Sequence, residues 1–325
     1  FLLEPQSTNL VTYSEDFTTW SNSGSTLTSG LTSPSGDNTA YSVLSGSGTS
    51  NRVQLSVSGL SVSTEHSVSI FVKKVGTDNK ATLLFETTET GRQGVSFNFD
   101  TKILSNASGT TSNRQVQQLT NDWFRISYTF TTAATITSPN IQLNRSNPSQ
   151  AAIYWGAQVE ANNISSYIPT SGSQVTRNQE TCINATPEIN SEEGVLYFEG
   201  SALFNGGATR IISLSDGTND NLIYIRFDLT ANRFYGFARG GGGSYTSVVK
   251  NSINQTDNNK VALVWDATSL KIWINGSEQA TATINNLPIA MNTLDFTSPS
   301  GSAAFFGNTK DIQVYTKALS DAELI

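Results

Sequence analysis

Two tryptophans sit beside polar side chains at the period-two spacing that places them on one face of a strand. In Asn121-Asp-Trp-Phe-Arg-Ile-Ser127, Trp123 alternates with Arg125 and Ser127, opposite the apolar Phe124, Ile126 and Tyr128. In Leu270–Ile274, if Leu270, Ile272 and Ile274 face a core, then Lys271, Trp273 and Asn275 face away from it. An aromatic ring flanked by hydrogen-bonding groups can stack on a sugar ring. Each has a plainer alternative: Trp123 covers a sheet edge or the N-terminal segment, and Trp273 meets the other module.

Two loops carry further chemistry. Arg239-Gly-Gly-Gly-Gly-Ser-Tyr245 places four glycines between a cation and an aromatic, so that backbone can approach a ligand while Arg239 donates and Tyr245 stacks. It lacks the Gly-Lys-Ser/Thr ending of a phosphate loop, and a flexible hairpin tip fits it equally. Asp216-Gly-Thr-Asn-Asp-Asn221 concentrates hard oxygen donors, with Asp216, Asn219 and Asp220 as potential calcium ligands; a solvated turn uses the same residue types. Calcium is the one cofactor the sequence offers.

Catalytic sets are hard to assemble. His66 is the only histidine and Cys182 the only cysteine, so a nucleophile–histidine arrangement or a histidine-based zinc site has almost nothing to draw on. Glycoside hydrolysis needs only two carboxyl groups, and composition leaves it open. The expectation is a protein that is not an enzyme.

The elements that must position these residues are strands. Val68, Ile70 and Val72 share one strand face; so do Val95, Phe97 and Phe99, and Phe124, Ile126, Tyr128 and Phe130. Ala81–Glu86, Asn140–Asn144 and Ile153–Val159 are further strands in the first half. Leu196 with Phe198, Ile223–Leu229, Tyr235 with Phe237, Val261–Trp265, Leu270–Ile274 and Ile312–Tyr315 are strands in the second. Asn275-Gly276 accepts the positive φ of a two-residue hairpin, and Ser320-x-x-Glu323 is a capping box opening a short helix. The fold class is all-β: two β-sandwich (jelly-roll) domains in tandem.

The chain has 325 residues, enough for two domains. Ile168–Glu180 has connector composition, and Pro187 precedes the return of alternation at Val195, which divides the chain into residues 1–185 and 186–325. The halves carry formal charges of −2 and −5, within a total of −7. With no run of Lys or Arg, nucleic acid is not an expected partner. No apolar run reaches bilayer length, so no membrane insertion is expected. A lone cysteine allows no internal disulfide. The absence of a starting Met and the short final helix lead to the expectation of a fragment, with more chain or a partner following.

Two resemblances follow. Val261-Ala-Leu-Val-Trp-Asp-Ala-Thr-Ser-Leu-Lys-Ile-Trp-Ile-Asn-Gly276, followed by Asp311-Ile-Gln-Val-Tyr-Thr-Lys-Ala-Leu-Ser-Asp-Ala-Glu-Leu324, resembles the closing half of a laminin-G or concanavalin A-like lectin domain over roughly residues 190 to 325. That resemblance implies a sandwich displaying loops for sugar binding. The Glu-x-Asp-x-x-Glu of concanavalin A-like glycosidases and the Gln-Ile/Val-His of that fold's alginate lyases are both absent. In the first half, Thr8-Asn-Leu-Val-Thr-Tyr-Ser-Glu-Asp-Phe-Thr-Thr-Trp20, Asn121–Ser127, Tyr154-Trp-Gly-Ala-Gln-Val-Glu160 and Ser166-Tyr-Ile-Pro-Thr-Ser-Gly172 resemble, in that order, sandwich modules of bacteriophage tail, tail-fibre and head-fibre proteins. This implies adhesion to a cell-surface polysaccharide or glycan, or a structural place on a virion appendage, in an extracellular setting with other virion subunits and as a homo-oligomer. The ligand-binding residues expected are Trp123, Arg125, Arg239, Tyr245, Trp273 and Asn275.

Overall fold

The computed structural model describes residues 1–145 and 148–324. Its elements are antiparallel strands joined by turns, with two 3-10 turns, Phe17–Thr19 and Asp321–Glu323, among the described residues. The all-β expectation holds. The helix expected at Ser320 is a single 3-10 turn in which the Ser320 backbone N–H and hydroxyl both donate to the Glu323 carboxylate, at 2.8 and 2.6 Å.

The chain forms two compact units, Gln6–Asn178 and Gln179–Ile325 with Phe1–Pro5. The division between residues 185 and 186 expected from composition falls seven residues later than this one, and residues 1–5 do not join the first unit. Their reason is a strand. Leu2–Leu3 pairs antiparallel with Asn308 and Gly307, the terminal ammonium of Phe1 donates to Thr309 O at 2.7 Å, and Leu3 is buried among the apolar residues of the second unit. A two-residue strand carries no legible periodicity.

In Gln6–Asn178, one six-stranded sheet runs in the order Ser112–Gln118, Trp123–Thr131, Glu65–Lys74, Ala151–Ala161, Ala40–Ser45, Ser25–Leu31. The other runs Ile103–Ser108, Gly91–Asn98, Lys80–Thr87, Asn140–Leu143, Arg52–Ser56, Ser21–Ser23. The alternating residues read from sequence, Val68, Ile70, Val72, Val95, Phe97, Phe124, Ile126, Tyr128 and Phe130, form the core between them. Burying side chains of this size contributes about 1.5–3 kcal/mol each, and the sandwich follows from joining two apolar sheet faces.

The second unit stacks a six-stranded sheet (Leu2–Leu3, Gly307–Tyr315, Gly194–Ala202, Asn259–Trp265, Ser269–Ile274, Ser277–Thr283) with a five-stranded one (Thr246–Asn251, Arg233–Arg239, Leu222–Phe227, Arg210–Ser215, Thr293–Asp295). Leu196, Phe198, Ile223, Ile225, Phe227, Leu263 and Trp265 are among its fully buried residues. The hairpin at Asn275-Gly276 is as expected: both residues have positive φ, 53° and 77°, and Ile274 pairs with Ser277 across the turn.

Candidate functional site

The four sequence pieces that drew attention in the first unit are brought together, but inward. Trp123 is 1% exposed. It lies on the sheet face away from the main core, as alternation required, and there it packs with Ala40, Phe71 and Trp155, with Tyr167 and Leu31 against them. It is therefore not a sugar platform. Local sequence gave its face correctly and could not show that a second apolar layer covers that face. Arg125 is engaged alongside, donating to Ser165 O at 2.8 Å and to Ser69 Oγ at 3.1 Å, with its guanidinium 5.4 Å from the Phe71 ring centre.

Trp155 and Tyr167 stand 4.7 Å apart between ring centres, and the Tyr167 hydroxyl donates to Ser14 Oγ at 2.7 Å. Gly156, with φ of 64°, makes room at a bulge for the Phe71 and Tyr167 rings: a Cβ there would come 2.9 Å from Phe71 and 3.1 Å from Tyr167. The buried Glu160 carboxylate accepts from Ser7, Ser165 and Gln158, and the Asn9 amide donates to Ala157 O and Ile168 O. The motif pieces are thus the internal bonding of one sandwich edge. Their polar members satisfy each other's backbone groups, which is what burial demands of them.

His66 is also structural. Fully buried, it accepts a hydrogen bond from Ser61 N–H at Nε2, so Nδ1 donates to Thr64 O at 3.1 Å. Burial pushes its pKa below the usual 6.5, keeping the ring neutral.

In the second unit the two loops meet. Arg239 spans them, donating to Asn219 O at 2.9 Å, Gly242 O at 2.8 Å and Gly243 O at 2.9 Å, with its guanidinium 4.8 Å from the Tyr245 ring centre and 3.6 Å from Asp220. Arg239 is a brace; Tyr245, 56% exposed, is the side chain left for a partner. Asp216 accepts from the Thr218 backbone and hydroxyl and from the Asn221 amide. With Asp216 bound into its own turn and Asp220 beside a guanidinium, Asp216, Asn219 and Asp220 do not fit a calcium site, since a cation there would compete with both. No group of three or more His, Cys, Asp or Glu side chains placed to hold a metal ion occurs among the described residues.

The site with depth lies on the outer face of the six-stranded sheet. A groove of about 560 Å³ has Val195, Ala262 and Trp273 in its floor and Tyr197 and Tyr315 along it. Asn258, Lys260, Asn275, Asp311 and Gln313 supply polar groups, and Leu319, Glu323 and Leu324 close one end. The strands explain the grouping. Ala262 pairs with both Tyr197 and Trp273, while Asp311, Gln313 and Tyr315 alternate along Gly307–Tyr315.

Trp273 faces away from the core, as expected, yet it is 6% exposed, because Ala318, Leu319 and Leu324 pack against the cluster containing it. The free platform expected there is a half-roofed one. Its Nε1 is buried without a hydrogen-bond partner in the protein. Asn275 accepts from Lys260 N–H at 2.9 Å and donates to Asn259 Oδ1 at 3.1 Å, fixing the hairpin.

Beside the groove stands Glu199, the cross-strand neighbour of Asp311. Hydrogen bonds from Lys310 and Asn258 hold its carboxyl down at about 2. Burial, then the Glu199 carboxylate, pushes the Tyr197 hydroxyl up to about 12. Tyr315 donates to Gln313, which donates to Asp311, making a hydrogen-bonded row along the rim. Tyr197, Tyr315, Asp311 and Gln313 escaped the sequence reading as site residues. Their signal was present in the alternation of Asp311-x-Gln-x-Tyr315, which resembles any solvent-facing strand side.

Residues 202–325, less than half of the chain, match the family described as the concanavalin A-like lectin/glucanases superfamily. No curated protein matches the chain. Similar solved structures include a Ruminococcus gnavus IT-sialidase CBM40, at 20% identity over 42% of this chain and 82% of that one with a TM-score of 0.36. They also include mouse laminin alpha1 chain domains LG4-5, at 9% identity over 86% and 91% with a TM-score of 0.32.

Proposed function

We propose that this chain is a non-catalytic glycan-binding module, and that the groove over Trp273 is where its second unit takes a sugar chain. The observation that carries this reading is the combination in one groove of three aromatic side chains, Tyr197, Trp273 and Tyr315, with amide, ammonium and carboxylate groups from Asn258, Lys260, Asn275, Asp311 and Gln313. Pyranose rings have an apolar face and a ring of hydroxyls; a stacking surface edged by fixed donors and acceptors meets both.

Hydrolysis finds less support. Glu199 and Asp311 are cross-strand neighbours, and with its carboxyl held at about 2 by Lys310 and Asn258 Glu199 is suited to a base or nucleophile and not to the general acid that glycoside cleavage also requires; neither residue stands in the Glu-x-Asp-x-x-Glu spacing of glycosidases.

The setting we infer is a bacteriophage tail or head fibre, acting in host attachment. It rests on the resemblance of the four first-unit pieces to such modules. Affinity at one shallow, wet groove is low, so attachment draws on several copies presented by an oligomeric fibre. A purely architectural virion role is the other reading, and the internal bonding of those pieces favours it for the first unit.

The test is a glycan array probed with the whole chain at high density, beside Tyr315→Ala and Tyr197→Ala. Binding to a defined glycan, weakened about tenfold or more in both variants, supports the groove. No binding to any glycan, or binding indifferent to both substitutions, sinks it.

A further inference from the structure

In the unit Gln6–Asn178, the sheet that contains Gly91–Asn98, Lys80–Thr87, Asn140–Leu143 and Arg52–Ser56 turns Val53, Phe85, Val95 and Ile141 into the core. Alternation therefore puts Arg52, Glu86, Arg92 and Gln142 on its opposite face. Strand order brings them together from distant parts of the sequence: Arg92 pairs with Glu86, Glu86 with Asn140, and Gln142 with Gln54, two residues along from Arg52. Arg145, just past the end of Asn140–Leu143, joins them by donating from Nη1 to Gln142 Oε1 at 3.2 Å.

Three guanidinium groups share one carboxylate there. Arg92 Nε lies 3.5 Å from Glu86 Oε1 and Arg145 Nη1 lies 3.7 Å from Glu86 Oε2, which also accepts from Gln142 Nε2 at 2.5 Å. Arg52 has no acidic partner among the described residues; its Nε donates to Gln54 Oε1 at 2.6 Å and its Nη1 to Ser50 O at 3.0 Å. Arg52, Arg92 and Arg145 against Glu86 leave two net positive charges, in a chain whose total is −7. Glu89, in the turn after Lys80–Thr87, accepts from Thr137 N–H at 2.8 Å, and counting it still leaves one. Burial, then repulsion from Arg92 and Arg52, lowers the Arg145 pKa, so Glu86 does not relieve the crowding of like charges. Beyond its contact with Glu86 the Arg92 side chain has no hydrogen-bond or ion-pair partner among the described residues, and it is 38% exposed.

We propose that this sheet face binds a carboxylated polysaccharide, a polymer of uronate-type sugars, at a site separate from the groove over Trp273. Charge complementarity selects an anion, and guanidinium selects the carboxylate, whose two oxygens match its planar fork. Glu86 already displays that chemistry, since Arg92, Arg145 and Gln142 converge on it. The strands carrying Arg92 and Arg52 are three spacings apart in the sheet, about 14 Å, so the two cations suit a repeating charge along a polymer better than one on a single ring. The Gln54 and Asn140 amides lie among them for ring hydroxyls. A nucleic acid fits less well: none of these side chains is aromatic, so bases have nothing to stack on, and two positive charges are few for a phosphate backbone.

The measurement is titration calorimetry of the whole chain with an oligogalacturonate, a neutral maltooligosaccharide of the same length, dextran sulfate and an oligothymidylate, at low and high salt. Arg52→Gln/Arg92→Gln and Glu86→Gln are measured beside wild type, with Arg114→Gln on the exposed strand Ser112–Gln118 as the control for lost charge. The unfolding temperature of each variant shows that it is folded. The expected result is salt-sensitive binding of oligogalacturonate, about tenfold weaker in the double arginine variant, unchanged in Arg114→Gln and no weaker in Glu86→Gln. No binding of oligogalacturonate, equal binding of the neutral sugar, tighter binding of dextran sulfate or oligothymidylate, weaker binding in Glu86→Gln, or wild-type affinity in the double variant each overturns the proposal. Any of these leaves the groove reading to its own test, because Tyr197 and Tyr315 are untouched by the substitutions.

Discussion

At the scale of single residues, the side chains richest in chemical promise prove to be split between glue and surface. Trp123, Arg125 and Arg239 are fully used by the protein itself, whereas Tyr245 and the groove tyrosines keep a face for solvent. Sequence could not separate them, because the period-two rule assigns a face without saying whether another layer lies on it. His66 offers a check on the burial argument. Its folded pKa lies below the ordinary 6.5, so on acidification the unfolded chain takes up this proton first. The stability that the neutral ring contributes is complete above 6.5 and is lost as pH falls through that value toward the folded pKa. Thermal unfolding followed from pH 7.5 to 5 should show a falling Tm whose slope is reduced in His66→Gln; an unchanged slope would mean that the ring is not sequestered. Glu199 acts in the same direction lower down, its contribution being present above 4.5 and disappearing as pH falls toward about 2.

At the scale of elements, the strands with alternating apolar faces were legible and the polar ones were not. Glu65–Lys74 and Trp123–Thr131 announce themselves, but Ser112–Gln118, every residue of which is exposed, is a strand only because it completes the edge of a sheet. The hairpin at Asn275-Gly276 was readable because its two positive φ angles restrict the residue choice. The groove was not, since it joins side chains from Gly194–Ala202, Asn259–Trp265, Ser269–Ile274 and Gly307–Tyr315, whose neighbourhood is a matter of strand order. Its end wall gives a prediction. Ending the chain after Lys317 removes the Leu319 and Leu324 contacts with the Trp273 cluster, which should lower stability by about 1–2 kcal/mol. Tryptophan emission should shift to the red, and a Trp273→Phe background should abolish the shift. Emission unchanged on truncation would show that residues 318–324 do not cover the indole.

At the scale of the whole molecule, two sandwiches were foreseeable from length and periodicity, while the destination of the first five residues was not. Leu3 is buried with the core of the second unit, and Leu2–Leu3 edges its six-stranded sheet. Deleting residues 1–5 should therefore lower the stability of that unit by about 2 kcal/mol and leave Gln6–Asn178 unaffected. Calorimetry resolving two transitions would read this directly; equal effects on both, or none, would contradict the assignment.

That short edge strand has a consequence for how the gene product comes into being. One body is written inside the other: its two ends, at Ser7–Asn9 and Val175–Arg177, are zipped to each other as a ribbon, while the flanking stretches belong to its host. During synthesis the inner body can be complete as soon as it leaves the ribosome, whereas the outer one waits for Gly307–Tyr315 before Leu2–Leu3 finds its place beside it. The inner body is also a cassette. Joining Pro5 to Gln179 by a few glycines removes it without cutting any sheet of its host.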